Sequence, residues 1–274
     1  MIPYIGGKSR LTQWIMSQFP PHICYVEVFG GSAAVLLDKM PSQVEVYNDI
    51  DKDLINLFRI VRDPAKCREL FKRGKWLLFS RAEFQTMREK WRTADYTDEI
   101  DHALAFAYYM CVGRCGKRSG MSYSMNKCAH ATASSVWIRF MRRLVETRKR
   151  LEKVNIECLD YPALFAKYDS KDTLFYCDPP YLKSDFYYCV NWKEEDHVKL
   201  ATALQRVKGR FVLSYYDSDI VRSLYHGCYF QTKEMPVYVH QHGGGAKPRA
   251  VELLITNFTP PSELSIETFM AAYS

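Results

Sequence analysis

Thr173-Leu-Phe-Tyr-Cys177 runs directly into Asp178-Pro179-Pro180-Tyr181, an apolar, strand-forming segment that ends in a carboxylate, two prolines and an aromatic ring. Proline fixes φ and has no N–H, so the pair stops the strand and holds Asp178 and the carbonyl of Pro179 in a rigid pose. Two such acceptors side by side suit an exocyclic amino group, and Tyr181 offers a face on which a planar base can rest. The plainer alternative is a proline turn at a strand end with Tyr181 on its rim, but that job does not need a carboxylate followed by this aromatic.

Upstream, Cys24-Tyr-Val-Glu-Val-Phe29 leads into Gly30-Gly31-Ser32-Ala33-Ala34 and then a helical run. Glycines immediately after a first strand let the backbone approach a ligand at the helix N-terminus. Asp49 follows Gly30 by 19 residues, at the end of the next strand, where an acid accepts hydrogen bonds from a ribose diol. Together, glycine turn and acid point to a cofactor that carries a nucleoside.

Short β-rich runs alternate with helical patterns on either side of these landmarks. Strands are expected at Ile23–Phe29, Val44–Tyr47, Val154–Leu159, Thr173–Cys177, Arg210–Ser214, Cys228–Met235 with a continuation to Val239, and Val251–Asn257. Helices are expected at Ala33–Lys39, Lys52–Arg62, Pro162–Lys167, Glu194–Val207 and Ser218–Tyr225. Seven strands with interleaved helices make an α/β, mostly parallel, doubly wound sheet. The alternation breaks between Arg62 and Lys153, where the text is helical and basic, with helices expected at Arg81–Arg92, Glu99–Cys111 and Val136–Val154. The last carries Trp137, Phe140, Met141, Leu144, Leu151 and Val154 on one face and most of its arginines and lysines on the other. Residues 62–153 therefore read as an insert in a discontinuous α/β domain, 1–61 with 154–274.

The 274 residues carry 38 Lys+Arg against 31 Asp+Glu, a net charge of +7. No acidic residue lies between Asp101 and Glu146, whereas Arg114, Lys117, Arg118, Lys127, Arg139, Arg142 and Arg143 do, so the whole surplus sits in the insert. A one-signed block of this kind calls for a polyanion, and nucleic acid is the natural one. Arg114, Lys117 and Arg118 lie in a glycine-rich loop or hairpin suited to base edges. The helix carrying Arg139, Arg142 and Arg143 suits phosphates.

Hydrophobic residues at 47% and charged residues at 25% exclude disordered and fibrous classes. No apolar run reaches about 18 residues and no secretory signal opens the chain, so no membrane partner is expected and the cytoplasm is the expected compartment. Nine cysteines without a C-x-x-C pair read as reduced thiols. Cys111, Cys115, Cys128 and His130 could supply four zinc ligands, but Cys111 reads as a helix end and the spacing fits no finger, so no metal is expected. His240-Gln-His242 beside three glycines reads as a nucleic-acid-facing loop. Phe186-Tyr187-Tyr188 either closes over a base or packs beneath a loop.

Asp178-Pro-Pro-Tyr181 with Phe29-Gly-Gly-Ser resembles the amino-methyltransferases that use S-adenosylmethionine. The order of motifs resembles the Dam-like (α-type) DNA adenine methyltransferases: Pro3-Tyr-Ile-Gly-Gly-Lys8, Phe29-Gly-Gly, Asn48-Asp-Ile-Asp51, an insert, Asp178-Pro-Pro-Tyr181, then Gly209–Asp217 and Gly243–Asn257. The resemblance spans nearly the whole chain. It implies a Rossmann-like seven-stranded methyltransferase fold with an inserted, mainly helical target-recognition domain. Tyr4 and Lys8 would line the S-adenosyl-L-methionine pocket. Phe29, Gly30 and Gly31 would hold its methionine end, Asp49 its ribose, and Ile50 its adenine, with Asp178 alongside. Asp178, Pro179, Pro180 and Tyr181 would form the catalytic site for an adenine flipped out of double-stranded DNA. The products would be N6-methyladenine and S-adenosyl-L-homocysteine, from an enzyme working as a monomer in a bacterial or phage-infected cell. Methylation of cytosine N4, RNA adenine or a protein amide, or a DNA-binding regulator without turnover, are the alternatives; Lys8, Asp49 and Asp178 all stand, which favours the enzyme. The family's Phe-x-Gly-x-Gly ends here in Ala33, which a negative φ would accommodate.

Overall fold

Side-chain caps written into the sequence set where the helices begin. In the computed structural model, which describes residues 8, 10–113, 133–181, 192–236 and 249–261, a short helix α1 (Thr12–Met16) precedes β1 (Cys24–Glu27), α2 (Ala34–Asp38), β2 (Val44–Asn48) and α3 (Lys52–Arg62). Asp51 caps α3 by accepting from the amides of Asp53 and Leu54. Asp63 ends α3 and at the same time caps α4 (Pro64–Gly74), with Pro64 in the first turn where its missing N–H costs nothing. Ser80 caps α5 (Arg81–Thr93) and Asp98 caps α6 (Glu99–Val112). After α7 (Ala133–Leu151) come β3 (Val154–Glu157), α8 (Tyr161–Tyr168), β4 (Thr173–Cys177) and α9 (Glu194–Leu204). The described chain closes with β5 (Arg210–Tyr216), α10 (Asp219–Leu224), β6 (Tyr229–Pro236) and β7 (Arg249–Thr256).

The seven strands lie in the order β3-β2-β1-β4-β5-β7-β6. All neighbours are parallel except β7, which runs antiparallel to both β5 and β6. Successive strand residues point to opposite faces, so each central strand feeds two cores. Tyr25, Tyr47, Leu174, Tyr176 and Val212 join α1 to α7 on one face. Val26, Val46, Phe175, Cys177, Phe211 and Leu213 join α8, α9 and α10 on the other. Phe106, Tyr108, Trp137, Phe140 and Leu144 of the helical segment belong to the same buried cluster as the first set, so that segment packs on the sheet's own core.

β4 and α3 match the sequence expectation residue for residue, and the seven strands and their mostly parallel arrangement stand. Helices α1 and α4 are additions. The helix expected over Val136–Val154 begins at Ala133 and stops at Leu151, because Val154 pairs with Glu45 to start β3. Arg150 also departs from the cationic face expected of that helix. Its guanidinium donates to both oxygens of Glu45 and, at 2.7 Å, to the carbonyl of Leu36, and Lys39 completes the cluster by bonding Glu45.

At the end of β1, the glycine turn is shaped by packing as well as by any ligand. A Cβ on Gly30 would lie 2.1 Å from Cε2 of Tyr47, a ring stacked on Phe58 at 4.2 Å whose hydroxyl donates to the Gly31 carbonyl at 2.8 Å. Gly31 has a φ of 49°, and Ala33 a φ of 54° rather than the negative value that would make its Cβ harmless. An alanine in the left-handed region costs about 1–2 kcal/mol, offset here by a fully buried methyl. Gly30→Ala is expected to destabilise the protein by about 1–3 kcal/mol through overpacking against Tyr47. Urea denaturation measures it, and an unchanged midpoint would remove the steric account of this turn.

Candidate active site

Strand order reverses beside β1. The chain steps outward from β1 to β2 and β3, then crosses back to β4 on β1's other side, so the carboxyl ends of β1 and β4 frame the crevice where doubly wound sheets bind ligands. Phe29-Gly30-Gly31 leaves one end and Asp178-Pro179-Pro180-Tyr181 the other.

Asn48 at the tip of β2 ties this rim together. Its amide donates to the carbonyls of Val28 at 2.9 Å and Leu159 at 3.0 Å, and its oxygen accepts from the Leu159 amide at 2.9 Å. Next to it, Asp49 accepts from the Gly31 amide at 2.8 Å and the Asp51 amide at 2.9 Å, linking the glycine turn to the start of α3. Ile50 beside it is exposed. Phe29 packs edge-on against Trp192 at 5.6 Å and near Tyr161 at 6.1 Å, forming an aromatic wall on the other side of the turn.

Beneath the turn lies Glu27, buried at the end of β1. Its carboxyl accepts from the Leu36 amide at 2.7 Å and the Tyr25 hydroxyl at 2.8 Å. Leu36 is in the first turn of α2, whose preceding residue Ala33 has no capping side chain, so Glu27 supplies the missing cap from the adjacent strand. Burial pushes its carboxyl from 4.5 up to about 8, against the pull of the Tyr25 and Leu36 bonds and with help from nearby Asp178.

At the carboxyl end of β4, the buried ammonium of Lys8 bonds Asp178 Oδ1 at 2.9 Å and reaches Glu252 Oε1 at 3.4 Å. It also sits 4.7 Å from the centre of the Tyr181 ring. Glu252 lies on β7 and accepts from the Tyr181 hydroxyl at 2.5 Å. Burial lifts the Glu252 carboxyl above its ordinary value, and the Lys8 charge opposes the lift. Tyr181 is stacked on Tyr215 at 5.3 Å and meets the exposed Tyr216 edge-on at 4.6 Å, so its ring is largely enclosed and Tyr216 is the open aromatic surface beside it.

The structure thus brings Lys8, Phe29, Gly30, Gly31, Asp49, Ile50 and Asp178 to Tyr181 onto one rim of the sheet. Tyr4, Arg114, Lys117, Arg118 and Lys127 lie outside the described residues, as do Phe186 to Tyr188, Cys115, Cys128, His130, His240 and His242. Arg139, Arg142 and Arg143 are exposed on α7, and Cys111 is buried on α6. Glu252, Tyr216 and Glu27 were not foreseen. For Glu252 the signal was present as one carboxylate inside the apolar run Val251-Glu-Leu-Leu-Ile255, because a charge in a buried strand needs a partner.

A parallel sheet with one antiparallel strand, β7, inserted between β5 and β6, and with a glycine turn and an acid at its switch point, is the Rossmann-like methyltransferase fold. Residues 4–238 match the family of D12 class N6 adenine-specific DNA methyltransferases, and the chain belongs to that family. It is similar to a DNA adenine methylase of Haemophilus influenzae, 26% identical over 269 residues that cover 88% of this chain and 87% of the relative. It is also similar to the type II methyltransferase M.CviBI of Paramecium bursaria Chlorella virus NC1A, 23% identical over 94% of this chain and 99% of the relative. The protein is a DNA methyltransferase acting on adenine N6.

Two outcomes follow from the buried carboxylates. Between pH 4.5 and about 8 native Glu27 keeps a proton that the unfolded chain has lost, so its stabilising contribution is complete below that window and is lost as pH rises through about 8. Glu27→Gln is expected to flatten the fall of stability with pH by up to roughly 1.4 kcal/mol per pH unit. Thermal melts from pH 5 to 8 check this, and identical slopes for both proteins would refute it. Glu252→Gln keeps the bond to Tyr181 but loses the charge facing Lys8. Turnover is expected to fall about 10- to 100-fold, the range of one charge-assisted hydrogen bond, with little change in melting temperature; wild-type turnover would show that Glu252 is only packing.

Proposed function

We propose that the chain binds S-adenosylmethionine at the β1–β2 rim, receives an adenine flipped from duplex DNA beside β4, and transfers the methyl group to its N6. The observation that carries this reading is the Lys8–Asp178–Glu252–Tyr181 cluster at the switch point. It holds one cation and two carboxylates, an environment that complements a sulfonium. Exposed Ile50 and the carboxylate of Asp49 supply an apolar face and a diol acceptor alongside it. Bound there, the cofactor supplies a methyl group already activated by its sulfonium.

The protein's task is then to place the nitrogen. Lys8 engages Oδ1 of Asp178, which assigns Oδ2 and the Pro179 carbonyl to the two N6 hydrogens. Withdrawing those hydrogens toward two fixed acceptors shifts the nitrogen toward sp³ and frees its lone pair for in-line attack. Methylation makes the nitrogen acidic, so its proton passes to Asp178 and on to solvent without requiring a strong base. Tyr181, held by Glu252, and the open ring of Tyr216 form the wall against which the adenine lies. Flipping costs a few kcal/mol, and aromatic contact recovers on the order of 1–3 kcal/mol.

In this reading residues 62–153 are the target-recognition segment and 1–61 with 154–274 the catalytic body. The enzyme works as a monomer in the cytoplasm, and among the described residues no helix is long and apolar enough to cross a membrane. Incubation with methyl-labelled cofactor and either duplex DNA or RNA tests the reading: label is expected on DNA adenine, and its absence from DNA of every sequence would overturn it. Asp178→Ala is expected to abolish transfer while DNA binding stays near wild type; retained transfer would remove Asp178 from the reaction.

A further inference from the structure

The turn between α4 and α5, Lys75-Trp76-Leu77-Leu78-Phe79, is apolar where connecting turns are ordinarily polar. Trp76 is 76% exposed and Leu78 72%, and Phe71 and Phe79, before and after them in the chain, are partly exposed as well. Single exposed apolar residues are commonplace, but a contiguous group on a soluble enzyme marks a contact site.

This exposure is built into the fold. Leu77 packs against the core, the Leu77 amide donates to the Gly74 carbonyl at 3.3 Å, and the Tyr108 hydroxyl donates to the Leu78 carbonyl at 2.8 Å. The Trp137 indole donates to the Gly74 carbonyl at 3.3 Å, and a Cβ on Gly74 would stand 2.8 Å from Met141. One residue of the turn is therefore anchored inward while its neighbours on either side are held out.

Its surroundings are cationic. Lys72 is exposed in the last turn of α4, only 4.0 Å from Glu69, and the Lys75 ammonium lies 4.8 Å over the Trp76 ring. Trp137 and Met141 bring α7 against the turn, and that helix exposes Ile138, Arg139, Arg142 and Arg143. The end of α7 delivers the chain to β3, whose Val154 pairs near the start of β2. The earlier turns of α7, where Trp137 and Met141 meet Gly74, consequently lie toward the carboxyl ends of the strands, on the side of Asp49 and Asp178.

We propose that this turn is a DNA-contacting wedge: Trp76 and Leu78 press into a base step of the duplex while Lys72, Lys75 and the arginines of α7 hold the flanking phosphates. The proposal rests on DNA being the substrate. Apolar side chains inserted at a base step, framed by basic residues, are a recurrent way of bending DNA toward an active site. A second copy of this chain fits less well, because a two-fold pairing would set the same lysines and arginines against each other.

The test is equilibrium binding of the full-length protein to a duplex that it methylates, at several salt concentrations, for wild type, Trp76→Ala/Leu78→Ala and Arg139→Ala. The double variant is expected to bind about 10-fold more weakly, within the range of lost aromatic stacking, with an unchanged dependence of log K on log salt and unchanged cofactor affinity. Arg139→Ala is expected to reduce that salt slope by about 0.9, as for one lost phosphate contact. Wild-type DNA affinity in the double variant would overturn the proposal, as would a loss of affinity that tracks a shift from dimer to monomer in sedimentation. Should wild type itself methylate no DNA, the substrate reading fails, which is distinguishable from a wedge that fails while wild type still methylates.

Discussion

One ammonium between a buried carboxylate and a partly exposed one sets the geometry on which the candidate site depends. Asp178 follows β4 and Glu252 lies on β7, and their charges would repel without Lys8 between them. Burying such a cluster is expensive unless each charge is paired and its remaining lone pairs are used. Here the pairing is shared: Glu252 Oε1 takes both the Tyr181 hydroxyl and the Lys8 ammonium, and Lys8 spreads over a carboxylate on each side and an aromatic face. The reason to retain so costly a group is positional. It locks the acidic and aromatic ends of the same four-residue motif to one lysine, so that neither rotates independently.

The β1–β2 side of the same rim follows a different logic, in which packing and bonds to the backbone replace a paired charge cluster. Tyr47 fills the space that a side chain on residue 30 would need, and its hydroxyl fixes the carbonyl of residue 31. Asp49 then holds the amide of that same residue, and Glu27 caps the helix that follows. The turn thus has both the N–H and the carbonyl of Gly31 pinned, by Asp49 just past β2 and by Tyr47 within it, before any cofactor arrives. Such preorganisation lowers the entropy that binding must otherwise spend, and it explains how the chain tolerates Ala33 in a left-handed conformation: the surrounding bonds determine the backbone there.

How much of this was legible depended on whether the determining contact was local. β4 and α3 could be read to the residue, since one is a continuous apolar run and the other an amphipathic stretch bounded by Asp51 and Asp63. Helix α4 escaped because its buried face holds only Cys67, Leu70 and Gly74, too sparse a stripe to read, although Asp63-Pro64 announced its start. Asp178 and Asp49 stood out through their neighbours in sequence. Glu252 lay in a stretch already singled out, yet its role arises from Lys8, Asp178 and Tyr181, all distant along the chain. The sign of φ at Ala33 was equally out of reach, since it belongs to the turn in which the Ala33 amide bonds the Gly30 carbonyl rather than to the residue's own type.

The concentration of charge in the helical segment acquires a finer meaning once α7 is divided along its length. Its last turn is structural: Arg150 joins Glu45 and the Leu36 carbonyl, with Lys39 beside them, and so fastens the helix to β2 and α2 where β3 must start in register. Burial lifts the Glu45 carboxyl, but the Arg150 and Lys39 bonds outweigh it and hold it below its ordinary value, as expected of a carboxylate that stays charged inside the fold. Earlier turns keep Arg139, Arg142 and Arg143 in solvent. Because one rigid helix carries both sets, and because its inner face shares the sheet's own core, the cations cannot swing free of the catalytic rim. A helix built this way trades independent motion for a fixed relation between the exposed arginines of α7 and the rim that carries Asp178.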